Sequence, residues 1–188
     1  MRHLQQRLKR VRMLICDVDG VLTDGRLWID TEGKWRRFFH VKDGVGMKLL
    51  MDLGYEVVVI SGGKSDDVVQ RMSFLNIKHF YLEVADKTIP FQEIIKNTGF
   101  QTDEIAFIGD EIFDIPILKQ VGFAATVPNA VGEVKKAAHY VTKTEGGYGA
   151  VREVVDLIRE HGFLAKKTPG PSKNPDTVRR TSKRGKAK

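Results

Sequence analysis

Short apolar runs alternate with longer stretches of helical period along most of this chain, and few folds tolerate that pattern. Residues 11–17, 56–60, 79–82, 105–108, 123–125 and 140–142 read as strands. Residues 44–53, 65–75, 87–98, 112–120 and 150–161 read as helices, with Ser65 placed to cap the second of them. A strand–helix–strand unit closes as a right-handed parallel crossover, so the expected fold is α/β: a parallel sheet with helices on both faces. Residues 26–40 break the pattern. Leu27-Trp28-Ile29 and residues 35–39 flank Asp30-Thr31-Glu32-Gly33, which is the signature of a projecting hairpin with a glycine-containing turn. No internal repeat signals a solenoid.

In parallel sheets of this kind, chemistry gathers beyond the carboxyl ends of the strands. Here the first strand ends in Asp17-Val18-Asp19-Gly20 and the second in Ser61-Gly62. Lys87 opens the helix after the third, and the fourth ends in Gly109-Asp110-Glu111, with Asp114 a turn further on. A lone acid at a strand end is a turn former or a cap. Acids, a hydroxyl and an ammonium at four successive strand ends are not explained that way. Alternation puts Asp17 and Asp19 on one side of an extended segment. Bringing Asp110 beside them crowds three carboxylates, which repel unless a cation intervenes. A hard dication with oxygen ligands fits, and Mg²⁺ fits best because it keeps positions for water and a phosphate. The chemistry this permits is phosphoryl transfer through a carboxylate nucleophile. Asp17 would attack phosphorus, while Asp19 would protonate the leaving alkoxide and then deprotonate water. Ser61 and Lys87 would bind the non-bridging oxygens.

Composition excludes several other classes. No apolar run approaches the roughly 20 residues that span a bilayer, and the N-terminus lacks the pattern of a secretory signal. With Cys16 alone there is neither an intramolecular disulfide nor a multi-cysteine zinc site; a buried thiol in a cytoplasmic protein is expected. The net charge of +7 invites a nucleic-acid reading, but its distribution argues against one. Residues 166–188 carry nine Lys/Arg against one acid, and residues 1–12 carry five and none. Residues 13–165 are left with 17 bases against 23 acids, so an acidic body has basic ends. Three regions follow: a basic N-terminal extension over residues 1–10, a domain over 11–165, and a disordered basic tail over 166–188. The tail is too poor in apolar residues to offset the entropy of ordering. It serves solubility, with at most a weak contact to RNA, membrane or an acidic partner.

DVDGVLTDG, ISG, the lysine of VADK and IGDEIFD together resemble the four motifs of the haloacid dehalogenase superfamily of phosphatases. Residues 13–160 are similar to its compact, capless subgroup, supported by FHVKDGVGMKLL, FYLEVADK and GGYGAVREVVDLI. The resemblance implies a Rossmann-like three-layer fold with a small β-hairpin flap and no large cap domain. It implies Asp17 as nucleophile and Asp19 as general acid/base. Magnesium would be held by the Asp17 carboxylate, the Asp19 carbonyl and the Asp110 carboxylate, with Glu111 and Asp114 supporting the metal shell and Lys87. It further implies a homotetramer in which flaps pack together and neighbouring subunits help close each site. That assigns a role to Trp28, Trp35, Phe38 and Phe39, since so aromatic a hairpin needs something to pack on.

The substrate implied is a phosphorylated 3-deoxy-2-keto sugar acid. An eight-carbon octulosonate 8-phosphate is expected, and a nine-carbon sialic-type keto acid 9-phosphate is the alternative. By the same resemblance, His40, Val41, Lys42, Asp43, Gly44, Lys48, Gly62, Lys64, Arg71, Asp19 and Lys87 would contact it. The chain departs from the family where an arginine usually follows Ser-Gly, placed to meet the sugar-acid carboxylate. Gly63 and then Lys64 stand there, and a lysine lacks the planar fork of a guanidinium. Two non-enzymatic readings compete: a phospho-accepting receiver, and an inactive interaction module. A receiver carries its acceptor aspartate at the end of a central strand, where this chain has Ser61. An inactive module would not need Asp17, Asp19, Ser61, Lys87 and Asp110 together.

Overall fold

In a computed structural model of the chain, residues 2–163 are described. The basic tail expected over 166–188 lies outside the described residues. Strands β1 (Met13–Cys16), β4 (Glu56–Ile60), β5 (His79–Tyr81), β6 (Ile105–Ile108), β7 (Phe123–Thr126) and β8 (Tyr140–Val141) form one sheet. Its order is β5-β4-β1-β6-β7-β8, and every pairing in it is parallel. β1, β6 and β7 are buried along their whole length, as strands covered on both faces must be. Cys16 is the buried thiol that its apolar run implies.

The helices are α1 (Arg2–Leu8), α2 (Val41–Asp52), α3 (Asp66–Phe74), α4 (Thr88–Thr98), α5 (Ile115–Leu118), α6 (Gly132–Ala137) and α7 (Ala150–His161). α1 and α2 both pack on α7, and α4, α5 and α6 form a second group. β2 (Trp28–Ile29) and β3 (Trp35–Arg36) make the expected hairpin, paired antiparallel. Asp30 Oδ1 ties its turn by accepting from Glu32 N and Lys34 N, both at 2.9 Å.

Several boundaries differ from expectation for local reasons. α2 starts three residues early, because His40 takes the extended N-cap position. Gly44 then falls inside the first turn, where the Arg71 guanidinium and Leu75 occupy the space of a Cβ. The helix expected over 112–120 is a 3₁₀ turn, Ile112–Asp114, running into α5. Asp114 folds back to accept from Asp110 N and Glu111 N, and that tightens the turn. Ser65 stands at the N-cap of α3, but its hydroxyl is engaged by Asp67 and Arg37 rather than by helix backbone. Residues expected only as a basic extension form α1, with Leu8 fully buried and Arg7 Nη1 donating to Gly122 O at 3.0 Å. α6 is too short to show a helical period in the sequence.

The register decides where chemistry can sit. Cys16 pairs with Val59 on one side and Ile108 on the other. The residues leaving β1, β4 and β6 therefore emerge together at one edge of the sheet. The chain runs outward from β1 through β4 to β5, then returns to place β6 on the other side of β1. That reversal between β1 and β6 is the topological switch point, where parallel sheets open a crevice.

Candidate active site

A cleft of about 520 Å³ opens at this switch point, and Asp17, Asp19, Ser61, Lys87, Asp110 and Phe113 are among the residues lining it. Gly62 and Glu111 line it too. A larger hollow of about 700 Å³ runs along α7 past Tyr148, Arg152 and Glu153. The Glu153 carboxylate there is spent on Tyr140, Lys143 and Thr144 and holds the 140–144 segment in place. The reactive groups are in the smaller cleft.

Asp17 follows β1 directly and is fixed by its N–H, which donates to Ile108 O at 3.0 Å. Lys87, the residue before α4, reaches in from the far side. Its Nζ lies 2.9 Å from Asp17 Oδ1 and 2.6 Å from Asp114 Oδ1, with all three side chains buried. Asp114 has no oxygen left over, since Oδ2 accepts from Asp110 N and Glu111 N at 3.0 and 3.1 Å. It acts as a scaffold, orienting Lys87 and shaping the loop that carries Asp110.

Asp110 is the unsatisfied member. Its Oδ1 is buried with no hydrogen-bond partner among the described residues. Its carboxylate lies where a Cβ on Gly20 would be, and Gly20 also has a φ of +87°, so glycine is required there twice over. Oxygens of Asp17, Asp110 and Asp114 lie within 4.8 Å of one another. Three carboxylates share one ammonium, and the electrostatics follow from that. Burial pushes Asp110 up to about 8, reinforced by repulsion from Asp17 and Asp114. Burial also pushes Asp17 up to about 6 against the pull of Lys87. Burial alone would lower Lys87, but Asp17 and Asp114 outweigh it and hold the ammonium above its ordinary value. An orphaned buried oxygen beside a second carboxylate, in an excess of negative charge, suits a hard divalent cation.

Asp19 and Ser61 complete the floor. Ser61 is buried, and its Oγ accepts from Gly63 N at 3.1 Å. Asp19 is gripped by Arg37, which follows β3 in the hairpin: Nε donates to Oδ1 at 2.5 Å and Nη2 to Oδ2 at 3.1 Å. Sequence reasoning missed Arg37 entirely. It passes for one more charge in a basic stretch, and only the fold brings it across to Asp19. The would-be Cβ of Gly63 lies 3.1 Å from Arg37 Nη2, so a hairpin guanidinium occupies the neighbourhood where the family resemblance expects an arginine. Phe113, 64% exposed, was also not singled out and supplies an apolar wall.

The remaining sequence candidates are not among the residues lining this cleft in one chain. Lys64 pairs with Glu83 at 2.8 Å on the surface. Arg71 Nη2 donates to His40 O at 3.2 Å, and its guanidinium stands over the Phe39 ring. Lys48 Nζ stands over the Phe74 ring at 5.5 Å. Val41 is exposed, Lys42 borders the hollow along α7, and Asp43 and Gly44 are buried in the first turn of α2. Glu111 lines the cleft, yet its Oε1 accepts from Ile112 N at 2.7 Å, and it makes no bond to Lys87 among those described.

The fold and the cleft together place an acid cluster and a buried lysine at the switch point of a parallel α/β sheet, and known proteins share that plan. A family model for haloacid dehalogenase-like hydrolases matches residues 65–154. A 3-deoxy-D-manno-octulosonate 8-phosphate phosphatase from Yersinia pestis is 39% identical over 153 residues, 81% of this chain and 82% of its own length. The structure of the Moraxella catarrhalis phosphatase of that name, in complex with magnesium ion, phosphate ion and KDO, superposes with a TM-score of 0.84. It is 33% identical, covering 88% of this chain and 96% of that one. The cobalt-bound Haemophilus influenzae enzyme gives a TM-score of 0.79 at 39% identity, over 83% and 91% of the two chains. The chain belongs to the haloacid dehalogenase-like hydrolases, and within them to the family of the 3-deoxy-D-manno-octulosonate 8-phosphate phosphatases.

Proposed function

We propose that this protein is a magnesium-dependent phosphatase of 3-deoxy-D-manno-octulosonate 8-phosphate, releasing the free sugar acid and inorganic phosphate. The observation that carries the reading is the buried Asp17–Lys87–Asp114 arrangement beside the unpartnered Asp110 oxygen, in a cleft at the switch point. The family relationship and the ligands of the Moraxella catarrhalis complex support the substrate and the metal. Lipopolysaccharide precursor synthesis in the cytoplasm is the setting that substrate implies; no helix among the described residues is long and apolar enough to cross a membrane.

Asp17, Asp110 and the Asp19 carbonyl would hold magnesium, which when bound neutralises charge between carboxylate and phosphate. Asp17 attacks phosphorus, the ester oxygen leaves, and an aspartyl-phosphate forms on Asp17. Lys87 and Ser61 bind non-bridging phosphoryl oxygens, and Lys87 is held for this by Asp114. Asp19 delivers a proton to the departing alkoxide, then removes one from the water that hydrolyses the intermediate. Phe113 forms an apolar wall of the cleft. His40, Val41, Lys42, Asp43, Gly44, Lys48, Lys64 and Arg71 do not line the cleft of their own chain.

A phosphate-release panel tests the reading. With Mg²⁺, the eight-carbon keto-acid 8-phosphate is expected to turn over fastest, ahead of nine-carbon keto-acid 9-phosphates and hexose phosphates. Asp17→Asn should bring release to background. If Asp17→Asn matched the wild type, the nucleophile would be misassigned. Hydrolysis of hexose phosphates alone would remove the substrate.

A further inference from the structure

We propose that Arg37 is a positioning residue of this active site. Carried in by the hairpin, and admitted because Gly63 has no side chain, its guanidinium fixes the attitude of the Asp19 carboxylate for proton transfer. The proposal rests on reading Asp19 as the general acid/base.

Arg37 is anchored at several points on the start of α3. Its backbone N–H donates to Asp67 Oδ2 at 2.7 Å, and Nη1 donates to Ser65 Oγ at 2.5 Å and to Asp67 Oδ1 at 3.4 Å. Those bonds dock the hairpin base on the start of α3. They leave the Nε–Nη2 edge, the edge that makes two parallel bonds to a carboxylate, facing Asp19. The Arg37 side chain is only 6% exposed, whereas that of Asp19 is 37% exposed and borders the cleft. A half-exposed aspartate otherwise turns freely about χ2, which is a broad torsion. The fork removes that freedom. Each carboxylate oxygen retains a second acceptor site, so a gripped Asp19 can still exchange a proton on its cleft side.

Gly63 is the second half of the device. Its φ is not positive, so the backbone does not require glycine. A Cβ there would meet Arg37 Nη2 and Asp19 Oδ2, each at 3.1 Å, tighter than ordinary contact. A side chain at 63 would wedge between the two partners. The missing side chain and the hairpin arginine are one arrangement.

Steady-state kinetics on the magnesium-loaded full-length protein test this. Arg37→Ala should lower kcat about 10- to 100-fold with KM within about threefold, because orientation rather than binding is lost. Arg37→Lys should recover little, since an ammonium has no fork. Guanidinium ion at millimolar concentration should restore a substantial part of the Arg37→Ala rate and do nothing for Asp19→Asn. Gly63→Ala should lower kcat more in the wild type than in Arg37→Ala, because only in the wild type does its Cβ meet the guanidinium as well as the Asp19 carboxylate. The proposal is overturned if Arg37→Ala changes KM alone, if guanidinium restores nothing, or if Gly63→Ala costs the same in both backgrounds. Asp19→Asn separates the two layers. Wild-type turnover in that variant removes the acid–base assignment and the proposal with it, whereas an inactive Asp19→Asn beside a fully active Arg37→Ala removes only the role of Arg37.

Discussion

Asp43 is a carboxylate buried to 1% exposure, well inside the protein and apart from the cleft. It accepts from Arg152 N at 2.7 Å, joining the first turn of α2 to the first turn of α7. Burial pushes it up to about 6, partly opposed by the Arg152 and Gly149 N–H groups and by His40 and Arg71. An unfolded aspartate titrates near 4, so between about pH 4 and 6 the native state holds the proton more tightly. Stability therefore falls as pH rises through that window, by at most about 3 kcal/mol from this group. Asp43→Asn keeps an acceptor for Arg152 N and cannot ionise. Urea unfolding across pH 4 to 7 should show a flatter profile for the variant, which gains on the wild type above about pH 6. Parallel profiles would mean that Asp43 ionises in the fold without penalty.

The hairpin is the element whose surface is least explained by its own chain. Leu27, Trp28, Ile29, Trp35 and Phe38 are 45 to 65% exposed, and Trp28 stacks on Phe38 with centroids 6.1 Å apart. Phe39, by contrast, packs against the core. An isolated two-stranded hairpin is marginal in water, and an apolar patch of this kind marks a contact surface. We propose that hairpins pack together in a homotetramer. Each buried aromatic contributes about 1.5–3 kcal/mol. Trp28→Ser with Trp35→Ser should shift sedimentation equilibrium towards smaller species at micromolar protein. An unchanged assembly would place the interface elsewhere. The sequence shows the hairpin and its turn, because Asp30 and Gly33 are local signals. It does not show that the same segment carries Arg37 to Asp19, which depends on where the hairpin lands.

At the scale of the whole molecule, the sheet gathers acids from β1 and β6 that are far apart in the chain, and the excess charge is the term a metal relieves. Mg²⁺ binding should displace protons from the Asp17–Asp110 pair, so affinity should weaken as pH drops from about 8 to about 6. At a hundredfold excess over Kd, Mg²⁺ should add about 2.7 kcal/mol. In a chain of this size that is a thermal shift of roughly 5–10 °C. The absence of a shift, or one equal at both pH values, would separate the acid cluster from the metal. The sequence by itself determined the α/β class, the hairpin, and the acids, serine and lysine of the cleft, because strand periodicity and strand-end residue types are local properties. Only the tertiary structure decided that Asp114 is spent on Lys87 and backbone N–H groups, that one Asp110 oxygen has no hydrogen-bond partner among the described residues, and that Arg37 meets Asp19 beside Gly63. Those facts are set by distances between segments remote in sequence, which the order of residues does not encode until the sheet register brings them together.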